Sequence, residues 1–212
     1  TLDGAETLDS TASYTITSSS GGTPVSASGI TVNSVNQTIS GVNVSALNDG
    51  ILTLSLTLTD AAGNVSTPVT DTVTKDANVP AVTTVAIADG DYKAGESINF
   101  TVTLDDSVTV SGANSTLGVN VGGSNTTAAF VSATGNTITY SYTVLPGENT
   151  SNSGVSILAS SIVLNGDTIR DSGNNNAVLT FAGTNNSDAQ VDTTAPVATV
   201  VTDPAEAVFV NA

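Results

Sequence analysis

The residues in this sequence that could do chemistry are carboxylates, and they come in groups. Asp60 and Asn64 bracket the run Asp60-Ala61-Ala62-Gly63-Asn64, and Asp76 stands with Asn78 just ahead of Pro80. Asp89 and Asp91 flank Gly90, Asp105 and Asp106 are adjacent, and Asp171-Ser172-Gly173-Asn174 and Asp188…Asp192 follow. Carboxylates and Asn amides are hard oxygen donors, the kind that calcium takes together with backbone carbonyls. Several carboxylates crowded at one place repel one another unless a cation neutralises them. The competing reading is turn chemistry, because Asp, Asn and Gly populate tight turns with or without a metal. Turn chemistry suffices for any single Asp. For Asp76, Asp105 or Asp106, and Asp171 taken together, a metal is the expectation.

Other chemistries are closed off by what is missing. The sequence has no Cys, His, Met or Trp. That excludes a disulfide, a Cys or His zinc site, a Ser-His-Asp triad and a Cys nucleophile. Two carboxylates would serve a glycosidase, but these lie on loops without aromatic subsites. Tyr14, Phe100, Phe130, Tyr140 and Tyr142 fall within strand-like runs and read as core. Tyr92 is the one aromatic residue in an acidic loop, where it would stack on a sugar or pack on its own turn. No enzyme is expected. The net charge of −16, with only Lys75, Lys93 and Arg170 basic, disfavours nucleic acid and anionic membrane surfaces and favours cations. It also keeps a long secreted polymer soluble. A lack of disulfides fits secretion that does not rely on oxidative folding. Neither a secretory signal nor a spanning segment is read in the sequence, so an internal excerpt of a longer chain is expected.

The elements that must position these loops are strands. Period-2 runs recur at Ala12–Thr17, Gln37–Val42, Leu52–Leu58, Val82–Ile87, Ile98–Leu104, Thr137–Val144, Ile157–Leu164 and Ala177–Phe181. Leu52–Leu58 reads Leu-Thr-Leu-Ser-Leu-Thr-Leu, apolar on one face and hydroxylic on the other, as a half-buried antiparallel strand does. Gly/Asn/Asp/Ser turns separate the runs, and many short strands at this spacing predict an all-β sandwich.

A boundary signal occurs twice. Asp76-Ala77-Asn78-Val79-Pro80 and Asp192-Thr193-Thr194-Ala195-Pro196 each follow a strand, place Asp four residues before Pro, and restart a Val/Thr/Ala run. Proline ends a ladder and stiffens a linker. The 212 residues suit roughly two modules of ~100 residues. The expected division is residues 1–79, a module lacking its first strand; 80–195, a complete module; and 196–212, the opening strand of a following module or a strand donated to a neighbouring molecule.

The runs Leu58-Thr59-Asp60-Ala61-Ala62-Gly63-Asn64, Asp71-Thr72-Val73-Thr74-Lys75-Asp76 and Val191-Asp192-Thr193-Thr194-Ala195-Pro196 resemble the bacterial Ig-like repeats of giant biofilm-associated and calcium-dependent (RTX-type) surface adhesins. Asp91-Tyr92-Lys93-Ala94-Gly95-Glu96 followed by Ile98-Asn99-Phe100-Thr101-Val102 resembles another repeat type of the same proteins. Asp76-Ala77-Asn78-Val79-Pro80 departs from the family's Asp-Thr-Thr-Ala-Pro but keeps the Asp and the Pro. The resemblance implies tandem antiparallel immunoglobulin-like sandwiches on the bacterial cell surface. They would space a ligand-binding region from the cell, with calcium at the module junctions.

In such a sandwich the incoming linker, the loop after the second strand and the hairpin before the last strand share one end. For the middle module this gathers Asp76, Asp105, Asp106, Asp171 and Asn174. The same logic sets Asp60 and Asn64 opposite a preceding linker. Asp89, Asp91 and Glu96 would meet Asp188 and Asp192 at the other end as a second, weaker site. The expected partners are neighbouring modules, or copies of the chain through strand addition. The alternatives are a self-assembling filament or layer using 197–212, and a carbohydrate-binding module.

Overall fold

The computed structural model describes residues 9–34 and 36–199. Every regular element among them is a strand. Contacts divide the chain into two units: residues 1–79 with the loop Asp171–Asn175, and Pro80–Arg170 with residues 176–212.

The first unit holds β1 (Thr11–Ser18), β2 (Val25–Thr31), β3 (Gly50–Thr59) and β4 (Val69–Lys75). They form one antiparallel sheet in the order β2-β1-β3-β4. The register sets Tyr14 and Val69 opposite Leu56, Ile16 opposite Leu54, and Val73 opposite Leu52. Side chains alternate along each strand, so Tyr, Ile, Leu and Val share one face while Ser13, Thr15, Ser55, Thr57, Thr70 and Thr72 share the other. Its buried apolar residues are Ala12, Val32, Leu47 and Leu52.

The second unit holds β5 (Val82–Ile87), β6 (Gly90–Tyr92), β7 (Ser97–Leu104), β8 (Thr109–Ser111), β9 (Thr116–Val121), β10 (Ser124–Thr134), β11 (Thr137–Thr143), β12 (Val155–Val163), β13 (Thr168–Arg170), β14 (Thr184–Asn186) and β15 (Ala189–Val191). Seven strands make one sheet in the order β14-β12-β9-β10-β11-β7-β5. The end strands β14 and β5 touch, so the sheet curls on itself as a sandwich-like layer pair. Two small ladders complete the unit: antiparallel β13–β8 and parallel β15–β6. Ile98, Phe100, Val102 and Leu104 of β7, Ile138 and Tyr140 of β11, and Leu117, Val119 and Val121 of β9 fill the space enclosed by the sheet. Phe130 meets Tyr140 edge to face at 6.1 Å and 81°, the arrangement that aromatic quadrupoles favour.

Two expected strands are absent. The run Gln37–Val42 is not a strand. Its Gln37 carboxamide accepts from the Asn33 amide at 2.7 Å and donates to the Thr31 carbonyl at 3.0 Å, tying it to the end of β2. Gly41 then turns the chain with φ of 73°. Ala177–Phe181 spreads its bonds over Ile169, Pro80, Val82 and Ser160 instead of forming one ladder. Among the described residues, no helix is long and apolar enough to cross a membrane.

Candidate cation-binding loops

Asp60 and Asp171 each open a loop built to one plan. The Asn64 amide donates to Asp60 Oδ1 at 2.8 Å and its carboxamide to Oδ2 at 2.8 Å. The Asn175 amide donates to Asp171 Oδ1 at 2.8 Å and its carboxamide to Oδ2 at 3.0 Å. In both loops the Asp amide donates to the carbonyl of that Asn, and the amide one residue earlier returns to the Asp carbonyl. That earlier residue is left-handed in each, Gly63 at φ 92° and Asn174 at φ 67°. Glycine and asparagine are the residues that accept this conformation at least cost. A bridge closes each loop, Thr59 to Val65 and Arg170 to Asn176. The partner of Asp171 is therefore Asn175. Asn174, named in the sequence analysis as a candidate cation ligand, occupies the position of Gly63.

The two linkers also correspond. Asp76 Oδ1 accepts the Asn78 amide at 3.2 Å, and Asp192 Oδ1 accepts the Thr194 amide at 2.8 Å. The amide after each Asp is held by a turn residue about 30–45 positions upstream in the same unit: Ala77 by Asp49 at 3.0 Å, and Thr193 by Asn149 at 2.8 Å. Asp49 stands in the run Asn48-Asp49-Gly50, which on its own signals only a turn, and Asn149 has no local signal. Only their contacts to the linker amides mark them as equivalent.

Within the first unit, Asp76 and Asp171 approach each other, with a carboxylate oxygen of each within 4.8 Å. Asp171 is buried at 6% exposure. The Asn175 carboxamide also donates to the Asp76 carbonyl at 3.2 Å. Gly173 permits the approach, since a Cβ there would lie 2.9 Å from the Asp76 Cβ. Two carboxylates are hard oxygen donors of the kind that suits calcium and offer nothing to a thiophilic metal. Within the second unit, Asp105 clips the start of β5: its carboxylate accepts the Ala81 amide at 2.7 Å and its own amide donates to the Ala81 carbonyl at 3.0 Å. Asp106 is exposed and accepts the Ser107 amide at 2.6 Å.

At the other end of the second unit, the parallel pairing of β15 with β6 sets Asp91 opposite Gln190. Asp91, Tyr92, Lys93, Glu96, Gln190 and Asp192 line a shallow groove there. Lys93 meets Glu96 at 3.8 Å, and Asp89 accepts the Asn186 carboxamide at 2.7 Å. Among the described residues, Asp89, Asp91, Glu96, Asp188 and Asp192 do not form a close group of three carboxylates. The Tyr92 hydroxyl donates to the carbonyls of Ala88 at 3.0 Å and Asp89 at 3.2 Å, so the ring packs on its own turn.

Among the described residues, three carboxylates titrate below their ordinary range. The Lys75 ammonium, 2.5 Å away, holds Asp49 down with help from the Ala77 amide. The Asn64 carboxamide and amide hold Asp60 down. Burial pushes Asp167 up, but the Ser115 and Asn114 amides, at 2.7 and 2.6 Å, outweigh it and lower the carboxyl. A lowered native value means that the stabilisation is fully present above the unfolded value and is lost as pH falls through the native one. Melting temperature should thus be flat from pH 7 to about 5 and drop below about pH 4. The Asp167→Asn variant should start lower and fall less steeply. An equal acid slope in variant and parent would show that Asp167 has no part in it.

No protein-family model matches the chain, and no curated protein matches it either.

Proposed function

We propose that the chain is a spacer segment of a bacterial cell-surface adhesin, made of tandem immunoglobulin-like modules and stiffened by calcium at their junctions. The observation that carries this reading is the shared plan of the Asp60–Asn64 and Asp171–Asn175 loops, supported by the matching Asp76 and Asp192 linkers. Repetition of whole hydrogen-bond sets, rather than of residue types, is what an array of like modules predicts. The pairing of Asp76 with buried Asp171 supports a cation, because two close carboxylates favour a charge between them. Calcium would be held by Asp76 and Asp171, with Asp105 and Asp106 as further candidates. It would supply fixed charge and geometry, with no reaction to catalyse. The acidic composition and the lack of cysteine support an extracellular setting.

Extracellular modules bind calcium at ~0.1–1 mM. At ten times the dissociation constant, one site adds about 1.4 kcal/mol to the native state. Calorimetric titration should find saturable binding, and melts should rise in calcium relative to chelator. Asp76→Asn should abolish both gains and, by removing one of two repelling carboxylates, should not lower the chelator melt. Small-angle scattering should give a longer maximum dimension with calcium. Absence of binding at millimolar calcium, or an unaltered dimension, sinks the calcium part of the reading.

A further inference from the structure

The apolar face of the first unit is only partly covered among the described residues, with Ile39 packed beside Leu56 and Leu58 at the Ala12–Val32 cluster. Tyr14, Ile16, Leu54, Leu56 and Val69 line a groove of about 340 Å³ with Ile39 on its far wall. Val69 and Val73, on that face, are 66% and 65% exposed. Every residue from Ala61 to Thr74 is exposed, and β4 is an edge strand of its sheet. An apolar face beside an unpaired edge is a template for an added strand.

The second unit indicates which strand belongs there. The segment seven residues past Asp171 is bridged in parallel by the chain that follows a linker proline. Val178 donates its amide to the Pro80 carbonyl at 2.7 Å, and its carbonyl accepts the Val82 amide at 3.3 Å. From there the chain continues as β5 over the core of that unit. Because the Asp60 and Asp171 loops share one plan, the counterpart of Val178 is Thr67, on the exposed stretch leading into β4. The counterpart of Pro80 is Pro196, four residues after Asp192 as Pro80 is four after Asp76. Pro196 is followed by Val-Ala-Thr-Val-Val-Thr-Asp, a β-branched run like Val82–Ile87. Residues 200–212 lie outside the described residues, and Val197 is 86% exposed.

We infer that Pro196–Asp203 of a second copy of this chain docks on the first unit, parallel to the stretch through Thr67, with its Val side chains over the Tyr14–Leu54–Leu56 groove. Donor and acceptor are different surfaces, so the contact is head-to-tail, the kind that propagates from copy to copy. This assembly does not depend on calcium.

The test is run in chelator, which separates it from the spacer proposal. Light scattering behind size-exclusion chromatography should give a mass that rises steadily with concentration. Deleting Val197–Ala212 should leave a monomer, as should Val69→Lys, which puts a charge on the exposed rim of the groove without touching buried residues. A labelled peptide of sequence 193–212 should bind the truncated protein saturably, and Val69→Lys should weaken that binding about tenfold. A monomer at every concentration with no peptide binding overturns the inference, and so do oligomers that survive the deletion. Circular dichroism melts of both variants check that each remains folded.

Discussion

Phe100→Ala is expected to destabilise the second unit by about 3–5 kcal/mol, the range for deleting a fully buried aromatic ring. Phe100 has no exposed surface and pairs in register with Tyr140 on one side and Ile87 on the other. The Tyr140 ring itself meets Phe130 edge to face. The vacated space is therefore ringed by side chains already fixed in pairs, and collapse around it is limited. A loss of this size is a large part of the 5–15 kcal/mol that keeps an ordinary domain folded. It should lower the melting temperature of this unit by on the order of 10–20 °C. Scanning calorimetry should show the shift in one transition, with the part due to the first unit unmoved. Leu54→Ala in the first unit is the control. Leu54 is only half-buried, so its truncation removes less packing and should cost about 1 kcal/mol. Equal losses at the two positions would contradict the difference in burial on which the argument for a partly covered face also rests.

That asymmetry between units was partly legible in the sequence. Strand β5 coincides with the run Val82–Ile87, and β7 and β11 differ from theirs by one residue; in β7 and β11 a strict alternation faces a single core. Strands β6, β8, β13, β14 and β15 have three residues each, too short for a period to register. They are fixed by neighbours: β6 and β15 by each other in parallel, and β13 by β8. At the candidate site, the Asp residues stood out because Asp next to Gly and Asn is a visible pattern. Their partners did not. Asn175 follows Asn174, and only the left-handed turn at Asn174 decides which of the two side chains reaches Asp171. Asp167 stands in the run Asn165-Gly166-Asp167, which on its own signals only a turn. Its role in satisfying the Asn114 and Ser115 amides spans more than fifty residues and has no local signature.

Gly154 carries the other large expectation, since it fails both tests that a side chain must pass. Its φ of 70° lies in the left-handed region, which costs a residue with a Cβ about 1–3 kcal/mol. A Cβ there would also lie 1.8 Å from the Asn186 carbonyl oxygen and 2.9 Å from that of Ala189. Both are backbone atoms, so no side-chain rotation relieves the overlap. Asn186 cannot retreat cheaply: its residue pairs with Val155 at the head of β12, and its carboxamide donates to the Ile87 carbonyl at 3.0 Å and to Asp89 at 2.7 Å. Moving it would strip β14 from the sheet edge and loosen β15 from β6. Overpacking adds about 1–3 kcal/mol to the conformational cost. Gly154→Ala is thus expected to rival Phe100→Ala in denaturant midpoint while leaving the core side chains untouched. Hydrogen exchange separates the two cases. Gly154→Ala should lose protection first at Thr184–Val191, whereas Phe100→Ala should lose it across β7 and β11. Unchanged protection at Thr184–Val191 in the glycine variant would mean that the chain accommodates the methyl group elsewhere, and that the close approach to Asn186 does not constrain this corner of the sheet.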